Sequence, residues 1–301
     1  MLQKFDERNR DLLVNINGEL VHRDRARVSP FDSAVQGGDA VWEGLRLYDG
    51  RIFRLTAHLD RLRRSALALG FASIPSHDEI IAAIRRTLQA NDMRDGVHIR
   101  LTLTRGEKIT SGMDPRLNQS GPTLIVLAEH KPPVYGTKGV TLLTSTMRRP
   151  GPDVLDAKIH HANLLNSILA KQQANAAGAD DALMLDGRGF IAETNATHIF
   201  LVAAGAVATP FTHACPEGIT RAAVLVLCAA NAIPCAERDL STSELYRADE
   251  AFCSGTMGEL VPVTKVDGRS IGAGDEGGGP VTRSLIELFR DETARGSEPI
   301  L

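Results

Sequence analysis

The chain has 301 residues, 43% of them hydrophobic and 24% charged, with a net charge of −3. Such a composition is ordinary for a folded globular chain, and at about 100–200 residues per domain the length suggests two domains. The slight acidity and the lack of a basic run interleaved with aromatics argue against a nucleic-acid partner. No window approaches about 18 uninterrupted apolar residues, which argues against a membrane span.

In chain order, "MLQKFDERNRDLL" is charged from residue 4 and lacks the apolar run of a secretory signal, so a cytoplasmic location is expected. "LLVNINGELVHRDRARVSP" reads as two strands joined by an Asn-Gly turn, and "GLRLYDGRIFRL" repeats the pattern with Asp-Gly. "TAHLDRLRRSALALGF" carries apolar residues at helical spacing and stops at Gly70. A second helix, "SHDEIIAAIRRTLQAND", opens on a capping box of Ser76 and Glu79. The strands "VHIRLTLTRG" and "TLIVLAEH" follow, and then "KPPVYGTKG", whose Pro and Gly mark a linker. We place domains at 1–131 and 138–301, with 132–137 between them.

Beyond the linker, "VTLLTSTM" and "ADDALMLDGRGFIAETNATHIFLVAAGAVATP" read as strands with Gly-containing turns. Helices are expected at "NLLNSILAKQQANAAG", "TRAAVLVLCAANA", "TSELYRA" and "PVTRSLIELFRDET". "GAGDEGGG" at 272–279 follows no buried strand and opens no phosphate-binding helix, so it is expected to be a surface loop. Cys215, Cys228, Cys235 and Cys253 form no CxxC pair or metal-ligand spacing and read as buried free thiols. His160 and His161 are adjacent rather than four apart, so no metal site is expected there.

Two lysines flank the fourth helix. Lys171 lies in "NSILAKQQAN" beside polar Gln172 and Gln173 and is expected to point to water. Lys158 lies before the helix between Ala157 and Ile159, at a strand-to-helix passage. An apolar setting there would disfavour its ammonium form, lower its pKa by as much as roughly 3–5 units and let it attack a carbonyl.

The ordered set "HLDRL" at 58–62, "AKIHH" around Lys158, "ETNATHIF" from Glu193, "PEGITR" at 216–221 and "SGTMGELVPV" at 254–263 resembles class IV aminotransferases, the fold-type IV pyridoxal-phosphate enzymes. The resemblance covers nearly the whole chain. It implies a two-domain α/β (α+β) fold of the D-amino-acid aminotransferase type, with pyridoxal 5'-phosphate at the domain interface. Lys158 would be the catalytic amine, joining the cofactor aldehyde and then carrying a proton from the substrate Cα. Glu193 would pair with the pyridine nitrogen and keep it protonated. The phosphate would take the backbone N–H groups of Ile219 and Thr220 at a helix start, the hydroxyl and N–H of Thr256, and the cation of Arg61. Arg221 is read as structural.

"VWEGLRLYDG" is similar to a Phe-Glu-Gly-x-Arg signature of branched-chain aminotransferases, with Trp42 in place of the phenylalanine. That subgroup implies substrate contacts at Trp42, Arg100, Thr256 and Met257, and branched-chain L-amino acids as donors to 2-oxoglutarate. Three positions depart from it: Gly37 and His98 stand where tyrosines are usual, and His198 replaces a frequent asparagine. A D-amino-acid or (R)-amine transaminase therefore stays open, as does an aminodeoxychorismate lyase. A non-catalytic binding protein of the same fold is the reading from another class. The resemblance also implies at least a homodimer.

Overall fold

The computed structural model describes residues 3–135, 138–274 and 276–301, and the chain divides into two compact units. One unit holds the chain up to Pro132 together with Ile159–Asn163 and Thr293–Leu301; the other holds Pro133–Lys158 and Leu164–Glu292. The divide at Pro132 falls in the segment read as a linker, of which Gly136 and Thr137 lie outside the described residues. Two segments expected in the second domain, 159–163 and 293–301, belong to the first unit instead. Hydrogen bonds explain both cases. Trp42 N–H donates to the His160 carbonyl and Ala162 N–H to that of Ala40, and Ser297–Pro299 pairs as a strand with Arg51–Phe53.

The first unit contains β1 (Leu13–Ile16), β2 (Glu19–His22), α1 (Ser33–Gly37), β3 (Ala40–Tyr48), β4 (Arg51–Phe53), α2 (Leu55–Ala68), α3 (His77–Ala90), β5 (Val97–Thr104) and β6 (Thr123–His130). With the last strand, β16 (Ser297–Pro299), they form an antiparallel sheet in the order β16-β4-β3-β5-β6-β1-β2. Both dipeptide turns form, with Asn17 and Asp49 at φ 50° and 42°. Short polar side chains tolerate that left-handed region best among non-glycines. Ser76 and Glu79 make the capping box at the start of α3.

Alternation along β3 and β5 sorts the sheet into two faces. Val41, Leu45 and Leu47 with Val97, Ile99, Leu101 and Leu103 join a core with Leu55, Leu59 and Leu62 of α2 and Ile80, Ile84 and Leu88 of α3. Glu43 occupies the same core-facing row. Trp42, Arg46, His98 and Arg100 occupy the other.

The second unit contains β7 (Val140–Arg148), α4 (Leu165–Ala176), β8 (Asp181–Leu185), β9 (Ile191–Thr194), β10 (His198–Ala203), β11 (Ala206–Thr209), α5 (Ile219–Ala230), β12 (Cys235–Glu237), α6 (Thr242–Tyr246), β13 (Glu250–Gly255), β14 (Glu259–Val266), β15 (Arg269–Ser270) and α7 (Pro280–Arg295) as far as Glu292. Its mixed sheet runs β12-β11-β10-β13-β14-β7-β8-β9, with β15 on β14. β8 is buried along its whole length, as a strand covered on both faces must be, and Ala170 and Ala174 of α4 pack on its Ala182 and Met184. The Gly-rich 272–279 stretch, of which Asp275 lies outside the described residues, leads into α7, whose Val281 and Thr282 N–H groups are capped by the buried Glu250 carboxylate. Among the described residues no helix is long and apolar enough to cross a membrane.

Candidate active site

In the second unit the expected site residues lie on the loop before α4, the end of β9, the start of α5 and the β13–β14 turn. Lys158 is exposed, a correction to the apolar setting expected of it. It lines an open cavity of about 340 Å³ with Pro152, Asp156, Arg188 and His213, and its backbone N–H is held by the Asp156 carboxylate at 2.9 Å. Among the described residues no carboxylate pairs with its Nζ. Lys171 corrects the other expectation. Its Nζ donates to the Asp180 carbonyl and, at 3.0 Å, to the buried Asp181 carboxylate.

Glu193 sits near the end of β9, 7% exposed, and faces the guanidinium of Arg149 at 2.8 Å. The same guanidinium reaches the Ala214 carbonyl and the side chains of Asn166 and Ser167, so one arginine braces the carboxylate, the loop before α5 and the first turn of α4. Sequence reasoning missed Arg149, which belongs to none of the motifs that carry the family resemblance. The Cys215 thiol, in that loop, is pushed up by burial and then by the charge of Glu193. Three of the four thiols are buried and Cys235 is half-buried.

Gly218 is the N-cap of α5, and no side chain caps the helix. A Cβ at Gly218 would lie 2.2 Å from Nε2 of His198, so only glycine fits beneath that ring. His198 is buried on β10 and pairs across the ladder with Ser254, whose buried hydroxyl has no partner among the described residues. Arg221 lies buried on α5, donating to the Pro210 carbonyl and to Glu237, as a structural residue does. The N–H groups of Ile219 and Thr220, uncapped by any side chain, are donors that suit a phosphate at this helix start, with the His198 ring lying over Gly218 beside them. Thr256 and Met257 lie in the tight turn between β13 and β14.

The first unit holds Arg61, Trp42 and Arg100. Arg61 faces inward on α2 and forks onto Glu43, with Nε and one terminal nitrogen each 2.7 Å from a carboxylate oxygen. His58 Nδ1 lies 2.6 Å from the same carboxylate and His160 Nδ1 3.4 Å from it. Burial would raise the Glu43 carboxyl, but Arg61 and then His160 hold it well below the usual range. Positions 58, 61, 62 and 65 share one side of α2, which is why a segment rich in arginine buries three polar side chains, His58, Arg61 and Ser65.

On the other face of the sheet the Arg100 guanidinium lies 3.6 Å from the Trp42 ring centroid, and Trp42 stacks on His160 at 4.4 Å. Trp42 Nε1 donates to the His161 carbonyl at 3.1 Å. His98 lies over Gly44, where a Cβ would come within 3.4 Å of its Nε2. Burial, then Lys131, Arg100 and Arg46, push its pKa down to about 3, so the imidazole is neutral at pH 7. Burial lowers Arg100 to about 10 against the pull of Glu43. At Gly37 a Cβ would meet nothing within 4 Å, so packing does not require a glycine there.

The family model for amino-transferase class IV matches residues 40–266. The chain belongs to that family. A branched-chain-amino-acid aminotransferase-like protein 2 of Arabidopsis thaliana is 54% identical over 293 residues, 97% of this chain and 52% of the relative. A putative branched-chain-amino-acid aminotransferase of Methanocaldococcus jannaschii is 40% identical over 92% of this chain and 95% of its own length. This class IV chain thus spans about half of the Arabidopsis relative and nearly all of the archaeal one. A solved branched-chain amino acid aminotransferase, crystallised with pyridoxamine 5'-phosphate, superimposes with a TM-score of 0.89 at 30% identity, covering 97% of this chain and 99% of that one. The same enzyme has been crystallised with N-(5'-phosphopyridoxyl)-L-glutamate. The solved Escherichia coli branched-chain amino acid aminotransferase follows with a TM-score of 0.88 at 30% identity, covering 96% of each chain. These likenesses support the mixed α/β, fold-type IV architecture expected of the family.

Proposed function

We propose that this class IV chain is a pyridoxal-phosphate-dependent transaminase that moves the amino group of branched-chain L-amino acids to 2-oxoglutarate. The observation that carries this reading is the contrast between the two lysines: Lys171 is committed to Asp181, whereas Lys158 is exposed and, among the described residues, paired with no carboxylate. Names of the Arabidopsis and archaeal relatives support the donor class, and the phosphopyridoxyl-glutamate held by the solved enzyme supports a glutamate-forming half-reaction.

Pyridoxal phosphate supplies an aldehyde that takes an amine and a ring that accepts the electrons of the breaking Cα–H bond. Lys158 Nζ removes the proton from the substrate Cα and returns it on the cofactor side. Glu193 keeps a proton on the ring nitrogen, and Arg149 orients that carboxylate. Ile219 and Thr220 N–H groups and the Thr256 hydroxyl hold the phosphate, whereas Arg61, expected as its cation, is committed by both prongs to Glu43. Trp42, Arg100 and Met257 touch the substrate, with Thr256 shared between the two roles. The free thiols suit a cytoplasmic setting, and the family resemblance supports a homodimer.

Borohydride reduction of the cofactor-loaded protein, followed by peptide mapping, tests the reading. The label should fall on Lys158, and Lys158→Ala should lower turnover by at least about 10²–10⁴-fold, the scale of lost proton transfer alone. Label on another lysine would reassign the catalytic amine. A panel of L- and D-amino acids with both 1-phenylethylamine enantiomers fixes the donor. Conversion of D-alanine or the (R)-amine without L-leucine would remove the branched-chain assignment and leave the transaminase.

A further inference from the structure

Val134 and Tyr135, just past the divide between the units, lie across the β13–β14 turn. Val134 N–H donates to the Met257 carbonyl at 3.0 Å. The Tyr135 ring covers Gly258 so closely that a Cβ there would stand 2.4 Å from Tyr135 Cδ2. Its hydroxyl donates to Asp181 on β8. Asp181 is 4% exposed and also accepts from Lys171 Nζ at 3.0 Å and from Asn195 Nδ2 at 3.2 Å. Asn195 in turn clasps β8 through Ala182, accepting its N–H at 2.6 Å and donating its own backbone N–H to the Ala182 carbonyl at 2.9 Å.

A buried carboxylate needs a cation, and Lys171 provides it. The tyrosine hydroxyl is not required for that neutrality, so the bond does something else: it anchors the ring that lies on the turn. Burial, then the charge of Asp181, raise the phenol, so it remains a donor over the whole working range of pH. At the far end of the turn Glu259 has φ 53°, a left-handed conformation that a non-glycine residue holds only when its surroundings impose it.

We propose that Tyr135 is a positioning residue that straps the Thr256–Met257–Gly258 turn to Asp181 and, through Asn195, joins it to the strand end carrying Glu193. The inference rests on the phosphate role proposed for Thr256. One polar network then sets the distance between the group that grips the phosphate and the group that faces the ring nitrogen.

The test uses the cofactor-loaded protein and Tyr135→Phe, which keeps the ring over Gly258 and removes only the hydroxyl. Amide hydrogen exchange across 254–260 and the rate of pyridoxal phosphate loss, followed by absorbance, should each rise about threefold to tenfold, the scale of one hydrogen bond. Against a Thr256→Ala background the same change should add little to cofactor loss, because the two residues act in one chain of contacts. Unchanged exchange across the turn in Tyr135→Phe, or full additivity with Thr256→Ala, overturns the proposal. If the wild-type chain takes up no pyridoxal phosphate the proposed function falls, while exchange across the turn still decides whether the strap exists.

Discussion

Glu43 in the first unit and Glu193 in the second are both buried carboxylates facing a guanidinium, yet they are held differently. Glu43 is fully enclosed, receives both prongs of Arg61 and has two histidines against it. Glu193 is met by an arginine that divides itself among a loop carbonyl and two helix side chains. A carboxylate gripped by a whole fork is fixed as part of the core. One braced by an arginine with several duties is set in place, and its chemistry is directed elsewhere. Damage to the first should therefore register in folding and damage to the second in the reaction.

Glu43→Gln gives the largest expected effect on stability, a loss of about 3–5 kcal/mol, because Arg61 is left charged in a buried site without its counter-ion. Urea denaturation reads this directly, and a native midpoint would mean that the cluster is incidental to folding. Arg149→Met should cost less, about 1.5–3 kcal/mol, since it takes a charge-assisted bond from Glu193 together with the longer bonds to the Ala214 carbonyl, Asn166 and Ser167. Glu193→Gln should be milder still, within about 1 kcal/mol, because Arg149 keeps its bonds to the Ala214 carbonyl, Asn166 and Ser167 and the amide oxygen still accepts from it. Its signature is instead a slower proton-transfer half-reaction and a shifted cofactor absorbance. Equal losses of stability at Glu43 and Glu193 would erase the distinction.

Acid sharpens the comparison further, with the smallest effect at neutral pH. The folded-state pKa of Glu43 lies well below 4.5, so its stabilising contribution is complete above that value and disappears as pH falls through the folded pKa. His98 titrates at about 3 when folded and 6.5 when free, so the unfolded chain binds the extra proton and stability declines as pH drops from 6.5 toward 3. His98→Gln should flatten that limb while leaving stability at pH 7 little changed. Stability measured against pH for both proteins checks it, and identical acid limbs would show that His98 is not a destabilising proton acceptor.

Much of the fold was legible because it rests on local rules. Asn17-Gly18, Asp49-Gly50 and the Ser76–Glu79 box each specify backbone geometry within four residues, and each forms as read. The short pairings were not legible. β16 on β4 and the 159–163 segment beside β3 rest on partners far away in sequence, which periodicity does not encode. The candidate site divides in the same way. Residues carried by turn and helix-start motifs, such as Gly218, Thr220 and Thr256, could be named, but their buried partners could not. Arg149, Tyr135 and Asp181 are ordinary loop and strand residues in one dimension, and only the packed unit shows that they face Glu193, Gly258 and Lys171. Side-chain direction was the weakest inference, for both lysines behave opposite to expectation.

Arg51 on β4 and Ser297 on β16 are 246 positions apart and share a hydrogen bond. During synthesis the first unit's helices and central strands leave the ribosome long before the strand that covers the β4 edge exists. Until then that edge offers free N–H and C=O groups to any other extended chain, the condition under which nascent proteins pair wrongly. A chain released before residues 297–299 are made would therefore carry this edge still uncovered. Synthesis of a strand more than two hundred residues downstream thus governs whether the part made first stays soluble.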